Sequence, residues 1–228
     1  MNRRARGFLP RAWAVAAKDL AEELRLRVAA GAVFFFAATA VALVAFAVGP
    51  FGVPEEARHR LHAALLWIVL FFSAATGLPR AFVREEEAGT ALALRRLAPA
   101  TVVVAGKAIF NFLLILAVAT VTLPAFALLM EWRVASLAAL LAVVLLAGYG
   151  LAVVSTFLAA LVARAGHKSV LFVLVSFPLL IPLLLSAIAG TVSASEGETP
   201  WTALRVLFAY DGAASCGAYL LASAAWED

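Results

Sequence analysis

A charged run between positions 85 and 96 carries the side chains best suited to chemistry in this sequence. Three consecutive carboxylates, Glu85, Glu86 and Glu87, come before Gly89 and Thr90, and two arginines follow. Acids on one side and guanidiniums on the other can set the register of a contact with another protein through charge-assisted hydrogen bonds. The pattern therefore predicts a binding segment rather than a catalytic one.

The same run predicts a short helix that would hold these side chains in place. Thr90 can act as the N-cap of residues 91–97, and the helix must end before Pro99, since the residue preceding proline avoids the helical region. Acids before the helix and arginines at its end complement its dipole. A short rigid helix can receive force from another protein, although a solvated loop is the alternative. We name residues 80–101 the coupling segment, and its candidate contact residues are Glu85, Glu86, Glu87, Gly89, Thr90, Leu92, Arg95, Arg96 and Pro99.

Motifs for catalysis or metal binding are missing from the sequence. Gly106 and Lys107 lack the upstream glycine and the following hydroxyl residue of a phosphate-binding loop. No serine–histidine or paired-aspartate constellation falls within an apolar stretch. The single cysteine, Cys216, excludes an internal disulfide, and no zinc-type spacing occurs. We therefore expect no enzymatic activity, no metal site and no bound cofactor on this chain.

Long apolar stretches on both sides of the coupling segment identify the class of protein. Of the 228 residues, 65% are hydrophobic and 14% are charged, against about 45–50% and about 25% in soluble domains. These values exclude a water-soluble globule, and the stretches have the length that crosses a bilayer. We predict an all-α polytopic membrane bundle with a transmembrane domain over residues 28–226. Its six predicted transmembrane helices cover residues 28–48, 61–78, 102–130, 134–162, 169–189 and 203–226, with a solvent loop at 190–200.

Residues 1–27 predict a cytoplasmic amphipathic segment. Apolar side chains between Trp13 and Leu24 recur on one helical face, and charged side chains, among them Asp19 and Arg25, fall on the opposite face. This division is typical of a helix that lies on the membrane surface. The residues assigned to this interfacial helix are Trp13, Asp19, Glu22, Arg25 and Arg27.

The basic residues predict the orientation of the bundle. Most of the 18 Lys and Arg residues lie in the N-terminal segment and in the second and fourth connections between the predicted spans. Because basic residues favour the cytoplasmic side of a membrane, both termini are expected in the cytoplasm. The net charge of +4 therefore reflects topology, and the expected surroundings are membrane lipid, not nucleic acid.

Polar residues and prolines inside the predicted spans are further candidates for function. Lys107 lies near the cytoplasmic end of its span, where a long side chain can reach the headgroups and avoid a cost of about 2.5–3.5 kcal/mol at the bilayer centre. Asp211 should face protein or water, and either pair with a cation or cap a break beside Gly212. Pro178 and Pro182 each remove a backbone donor, so their helix should kink or open, as a hinge or as static packing.

Four stretches of the sequence resemble the heme exporter protein B family, and they follow one another along the chain as they do in that family. The coupling segment shows the acid pair, Gly-Thr, proline and Gly-Lys pattern of that family. Residues 17–27 are similar to its amphipathic start, residues 163–187 to its fifth-span signature, and the acidic end also fits. The resemblance covers most of the chain. The residues that carry it include Glu86, Glu87, Gly89, Thr90, Pro99, Gly106, Lys107, Pro178, Pro182, Tyr210 and Asp211.

The resemblance implies an ABC-2 exporter-like permease of the bacterial inner (plasma) membrane that acts in cytochrome c biogenesis. It would export heme or use ATP work to release a heme-loaded chaperone, with ATP on a separate cytoplasmic ATPase subunit. Other implied partners are a heme-handling membrane protein, a small accessory membrane peptide, the heme chaperone and a paired transmembrane subunit. Two alternatives stay open: another ABC-2 exporter, for lipid or drug, and a membrane scaffold with no transport path.

The resemblance also raises the question of heme ligation on this chain. His59 and His62 stand at positions i and i+3 near the predicted outer mouth of the second span, and imidazole is a heme iron ligand. Nothing else in that loop is typical of a heme pocket. We therefore interpret both histidines as polar anchors at the membrane edge, and heme as a possible substrate.

Overall fold

The computed structural model describes residues 7–26, 28–49, 54–77, 85, 89, 94, 96–162 and 168–223. They form seven helices: α1 (Phe8–Leu26), α2 (Val28–Val48), α3 (Glu55–Gly77), α4 (Ala100–Leu129), α5 (Leu137–Val162), α6 (Lys168–Glu196) and α7 (Trp201–Leu220). No strand occurs in the ranges described. The predicted all-α class is therefore confirmed.

Five of these helices, α2 to α6, are long and apolar enough to cross a membrane. The longest, α4, has 30 residues, and a rise of about 1.5 Å per residue makes it longer than the hydrocarbon core of a bilayer. Helix α7 is not one of the five, and it carries Arg205 and Asp211 among several small residues. The sixth predicted span therefore stays a prediction.

Helix α1 packs against the first half of α4 with a face that mixes small, apolar and acidic residues. Residues Phe8–Leu26 are helical as predicted, and Glu22 and Arg25 are exposed, while the position of this helix on the membrane surface stays a prediction. The predicted polar face is wrong for Asp19, which is buried, whereas Trp13 of the predicted apolar face is 55% exposed. Asp19 can be buried because α4 supplies a cation to it. The buried residues of α1 are Ala12, Val15, Ala16, Asp19 and Glu23.

In the part of the chain that the structure describes, two buried side-chain hydrogen bonds join spanning helices. Asn111 Nδ2 of α4 donates to Thr156 Oγ1 of α5 over 2.8 Å, and Trp67 Nε1 of α3 donates to Thr191 Oγ1 of α6 over 2.9 Å. Such bonds in a membrane contribute about 0.6 to 1.7 kcal/mol each and fix the rotation of one helix against its neighbour. The polar side chains inside the apolar stretches thus have a packing role.

Helix α6 is longer than the sequence predicted. The expected solvent loop at 190–200 is wrong for its first part, since α6 continues to Glu196. Small residues explain the difference: an ideal Cβ at Gly190 would lie 2.8 Å from Val143 Cγ2 of α5, so only glycine allows this close approach. The helix ends at Gly197, whose φ of 86° lies in the left-handed region.

The two prolines of α6 lie inside one continuous helix. The helix runs through Pro178 and Pro182. A hydrogen bond joins α7 to this part of α6: the Tyr210 hydroxyl of α7 donates to the Leu179 carbonyl oxygen over 2.7 Å. The Ser186 hydroxyl donates to the Pro182 carbonyl oxygen over 2.9 Å. The helix is therefore not opened at either proline, and a hinge role for them stays a prediction.

Candidate coupling site

Four ionisable side chains from three parts of the chain meet where α1 packs on α4. Lys107 Nζ of α4 lies 3.1 Å from Asp19 Oδ2 of α1 and 3.4 Å from Glu85 Oε1 of the coupling segment. Lys18 of α1 contacts the same Glu85 oxygen, and its Nζ lies 3.2 Å from Asp19 Oδ1. We name these four residues the ionic cluster. It contains two basic and two acidic side chains.

The ionic cluster is buried on the α4 side and open on the other. The side chain of Lys107 is 0% exposed, those of Glu85 and Asp19 are 7% and 8% exposed, and that of Lys18 is 42% exposed. A buried charge without its partner costs several kcal/mol, whereas an exposed ion pair contributes little. The contacts of Lys107 are therefore the ones on which the cluster depends.

The expectation that Lys107 reaches the headgroups is wrong. Lys107 lies seven residues into α4, about 10 Å along the helix from its first residue, and its side chain is wholly buried. Snorkelling would lower the cost of the charge by placing it in water. Here two carboxylates take the place of that water, so the ammonium stays inside the protein.

Lys18 stays charged in the cluster. Burial by itself would lower the pKa of the Lys18 ammonium, but the hydrogen bond to Glu85 and the charges of Asp19 and Glu85 outweigh it. Together they raise the pKa above its ordinary value of 10.5. The Lys18 ammonium therefore keeps its charge beside Asp19 and Glu85 at physiological pH.

Gly106 lets α1 approach α4 closely enough for the cluster to form. An ideal Cβ at Gly106 would lie 2.6 Å from the Ala12 carbonyl oxygen and 2.6 Å from Val15 Cβ, both in α1. No larger side chain fits between the two backbones. Small residues at such crossings are typical of helix contacts in membranes, because they allow the backbones to touch.

The rest of the coupling segment agrees with the predicted local structure where it is described. Gly89 has a φ of 67°, a conformation that favours glycine. The Ala98 amide donates to the Leu94 carbonyl oxygen over 3.0 Å, which closes a helical turn before the extended Pro99. Arg96 is exposed, whereas Glu85 is buried and so cannot contribute to an exposed docking face. Six predicted site residues lie outside the described residues: Glu86, Glu87, Thr90, Leu92 and Arg95 of the coupling segment, and Arg27 of the interfacial helix.

Asp211 forms a second buried charged position, in α7. As expected it faces protein: its side chain packs on Gly150 of α5 and near Leu183 of α6, and the residue is 5% exposed. Neither carboxylate oxygen has a hydrogen-bond partner in the described part of the chain. A buried polar group in this situation destabilises the fold unless it is neutral or paired.

The replacement Asp211→Asn is expected to raise the thermal midpoint of the purified chain. The amide keeps the shape of the carboxylate but removes the charge, which should increase the free energy of unfolding by about 1–3 kcal/mol. Thermal unfolding in detergent measures the effect, and Glu198→Gln, at an exposed carboxylate, is the control without a shift. A lower midpoint for Asp211→Asn would show that the carboxylate is paired in the folded protein.

His62 is not a polar anchor. Its ring is wholly buried and meets the ring of Phe126 edge-on with centroids 5.9 Å apart. Among the residues described there is no group of three or more His, Cys, Asp or Glu side chains that could hold a metal ion.

Sequence reasoning singled out Asp19, Glu85 and Lys107 one by one but missed that they form a single site. It placed Asp19 on a solvated face, Glu85 on a docking surface and Lys107 at the headgroups. One signal was available: a lysine within an apolar stretch requires an acidic partner. The choice of that partner depends on helix packing, which the sequence pattern does not specify.

Comparison with known families agrees with this architecture. The family model described as CcmB protein matches residues 10–226, which include all four residues of the ionic cluster and helices α2 to α7. A search among curated proteins finds no match. This family model covers nearly the whole chain. The chain therefore belongs to the CcmB family, also called the heme exporter protein B family, whose members are membrane permease components of the cytochrome c maturation ABC transporter.

Proposed function

We propose that this chain is the permease subunit that receives mechanical work from a separate ATPase subunit during cytochrome c maturation. One observation carries the proposal: Glu85 of the coupling segment is bound to Lys107 inside the spanning helix α4. A displacement of the coupling segment is thereby passed directly to a helix that crosses the membrane. A solvated loop without such a contact would absorb the displacement.

The energy has to come from another polypeptide, because the sequence lacks a phosphate-binding loop. A cytoplasmic ATPase subunit would close on ATP and push residues 80–101, tilting α3 and α4. This assignment requires the coupling segment and both termini to lie in the cytoplasm, with residues 1–27 at the inner membrane surface and α7 as the sixth span. The charge distribution of the sequence supports that orientation.

The rest of the proposal concerns the assembly and its substrate. Two transmembrane subunits would work together in the bacterial inner membrane, with a heme-handling membrane protein, a small accessory peptide and an outer heme chaperone. Heme would be substrate or chaperone cargo, and this chain would bind no cofactor of its own. The role of the subunit would be heme export or the ATP-driven release of the loaded chaperone.

Deletion of this chain from its native host tests the proposal. We expect the c-type cytochromes to accumulate without covalent heme, and a plasmid copy of the chain to restore them. Heme staining of membrane proteins separated by denaturing electrophoresis measures the effect, with a b-type cytochrome spectrum as the control for heme supply. Covalent heme at the normal amount in the deletion strain would overturn the proposal.

A further inference from the structure

We infer that Lys107 is a positioning residue for energy transfer, which holds α1 and the coupling segment to α4 so that the three move as one body. The inference rests on the proposed function and deepens it. Its basis is that the ammonium of Lys107 contacts two acids from different elements, Asp19 of α1 and Glu85 of the coupling segment. Glu85 also contacts both other elements, through Lys18 of α1 and Lys107 of α4, and Lys107 takes part in each contact by which the other members of the ionic cluster reach α4.

The geometry makes Lys107 the centre of this connection. Lys18 also touches Glu85 and Asp19, but Lys18 itself belongs to α1 and is 42% exposed. Its contacts therefore join α1 to the coupling segment without reaching α4. Lys107 is the member of the ionic cluster through which the charge of Glu85 acts on a spanning helix, at a depth of about two turns into α4.

Burial makes the connection stiff. The Lys107 side chain is 0% exposed and Glu85 is 7% exposed, so water does not compete for these contacts as it does at a surface ion pair. The close crossing at Gly106 fixes the distance between α1 and α4 next to the same lysine. A push on the coupling segment should thus displace α1 and α4 together.

This role differs from simple neutralisation of buried charge, and the difference can be tested with balanced variants. Lys107→Met removes one cation and leaves an excess anion in the cluster. The double variant Lys107→Met/Glu85→Gln removes one cation and one anion, so the balance is restored while the link to α4 stays broken. Lys18→Met is the matched control, since it removes a cation from the same cluster without affecting the link to α4.

The experiment places these variants in the deletion strain with the complete set of partner subunits. Three quantities are measured: the amount of ATPase subunit that co-purifies with the chain, the ATP hydrolysis rate of the purified complex, and covalent heme on c-type cytochromes. For Lys107→Met and for the double variant we expect the ATPase to co-purify and hydrolyse ATP normally, while covalent heme falls about tenfold or more. Lys18→Met should retain at least about half of the covalent heme, because its ion pairs are partly solvated.

The outcomes separate the inference from the proposed function. Normal covalent heme in the balanced double variant would overturn the inference, since Lys107 would then only neutralise buried acids. Failure of the unaltered chain to bring down any ATPase would contradict the proposed function instead. If Lys107→Met does not accumulate in the membrane, the isosteric variants Asp19→Asn and Glu85→Gln test the inference in its place. Each should reduce the covalent heme on c-type cytochromes per molecule of chain. Unaltered covalent heme in both variants would overturn the inference.

Discussion

Replacement of Gly106 by leucine is expected to separate α1 from α4 and to abolish covalent heme attachment to c-type cytochromes. The reason is steric: the first side-chain carbon would lie 2.6 Å from the backbone oxygen of Ala12 and from Val15 Cβ. A backbone oxygen cannot rotate away, so α1 as a whole has to move. Overpacking of this kind costs about 1–3 kcal/mol, and it also pulls Asp19 away from Lys107.

The measurements are the thermal midpoint of the purified chain and the covalent heme of the complemented deletion strain. Gly217→Leu in α7 is the matched control, because a Cβ at Gly217 meets nothing within 4 Å. This control also replaces a helical glycine by a residue that favours helix, so it should keep stability and heme attachment. A Gly106→Leu protein with normal midpoint and normal heme would show that α1 does not need to dock on α4.

Reversal of the two acids that follow Glu85, in the double variant Glu86→Lys/Glu87→Lys, is expected to abolish co-purification of the ATPase subunit. The sequence places these carboxylates directly before the Gly-Thr start of the short helix, where they complement its dipole and set the register of a partner. Four units of charge change in total on this segment. The spanning helices lie outside it, so the chain should still insert in the normal amount.

Glu85→Lys provides the contrast within the same acid run. Glu85 is buried against Lys18 and Lys107, so a third ammonium at this position should destabilise the chain itself and reduce its amount in the membrane. Quantitative blotting of membranes and of the purified complex distinguishes the two effects. Normal ATPase recovery with Glu86→Lys/Glu87→Lys would remove these acids from the docking surface.

The sequence predicted most of the fold because helices in a membrane are specified locally. An apolar stretch must satisfy its backbone hydrogen bonds internally, so it becomes a helix wherever it lies in the bundle. The range 190–200 was predicted as a solvent loop because its small residues favour turns in isolation, but α6 continues through it to Glu196. In the folded protein the same small residues let α6 pack closely on α5 at Gly190.

The faces of α1 show why helix periodicity alone did not assign the site. Periodicity separates apolar from charged side chains and assumes that charges face solvent. Asp19 violates that assumption, since it lies under α1 against Lys107. Trp13, on the predicted apolar face of the same helix, is exposed.

By itself the sequence determined the helical membrane class, the positions of the main apolar helices and the family, since all of these follow from local composition and motif order. Only the tertiary structure decided that Asp19 and Lys107, 88 residues apart in the chain, share a buried ion pair with Glu85. A charge inside a membrane protein takes whichever partner the packing brings within about 4 Å. That choice depends on where α1 crosses α4, and the crossing at Gly106 is a property of two helices together.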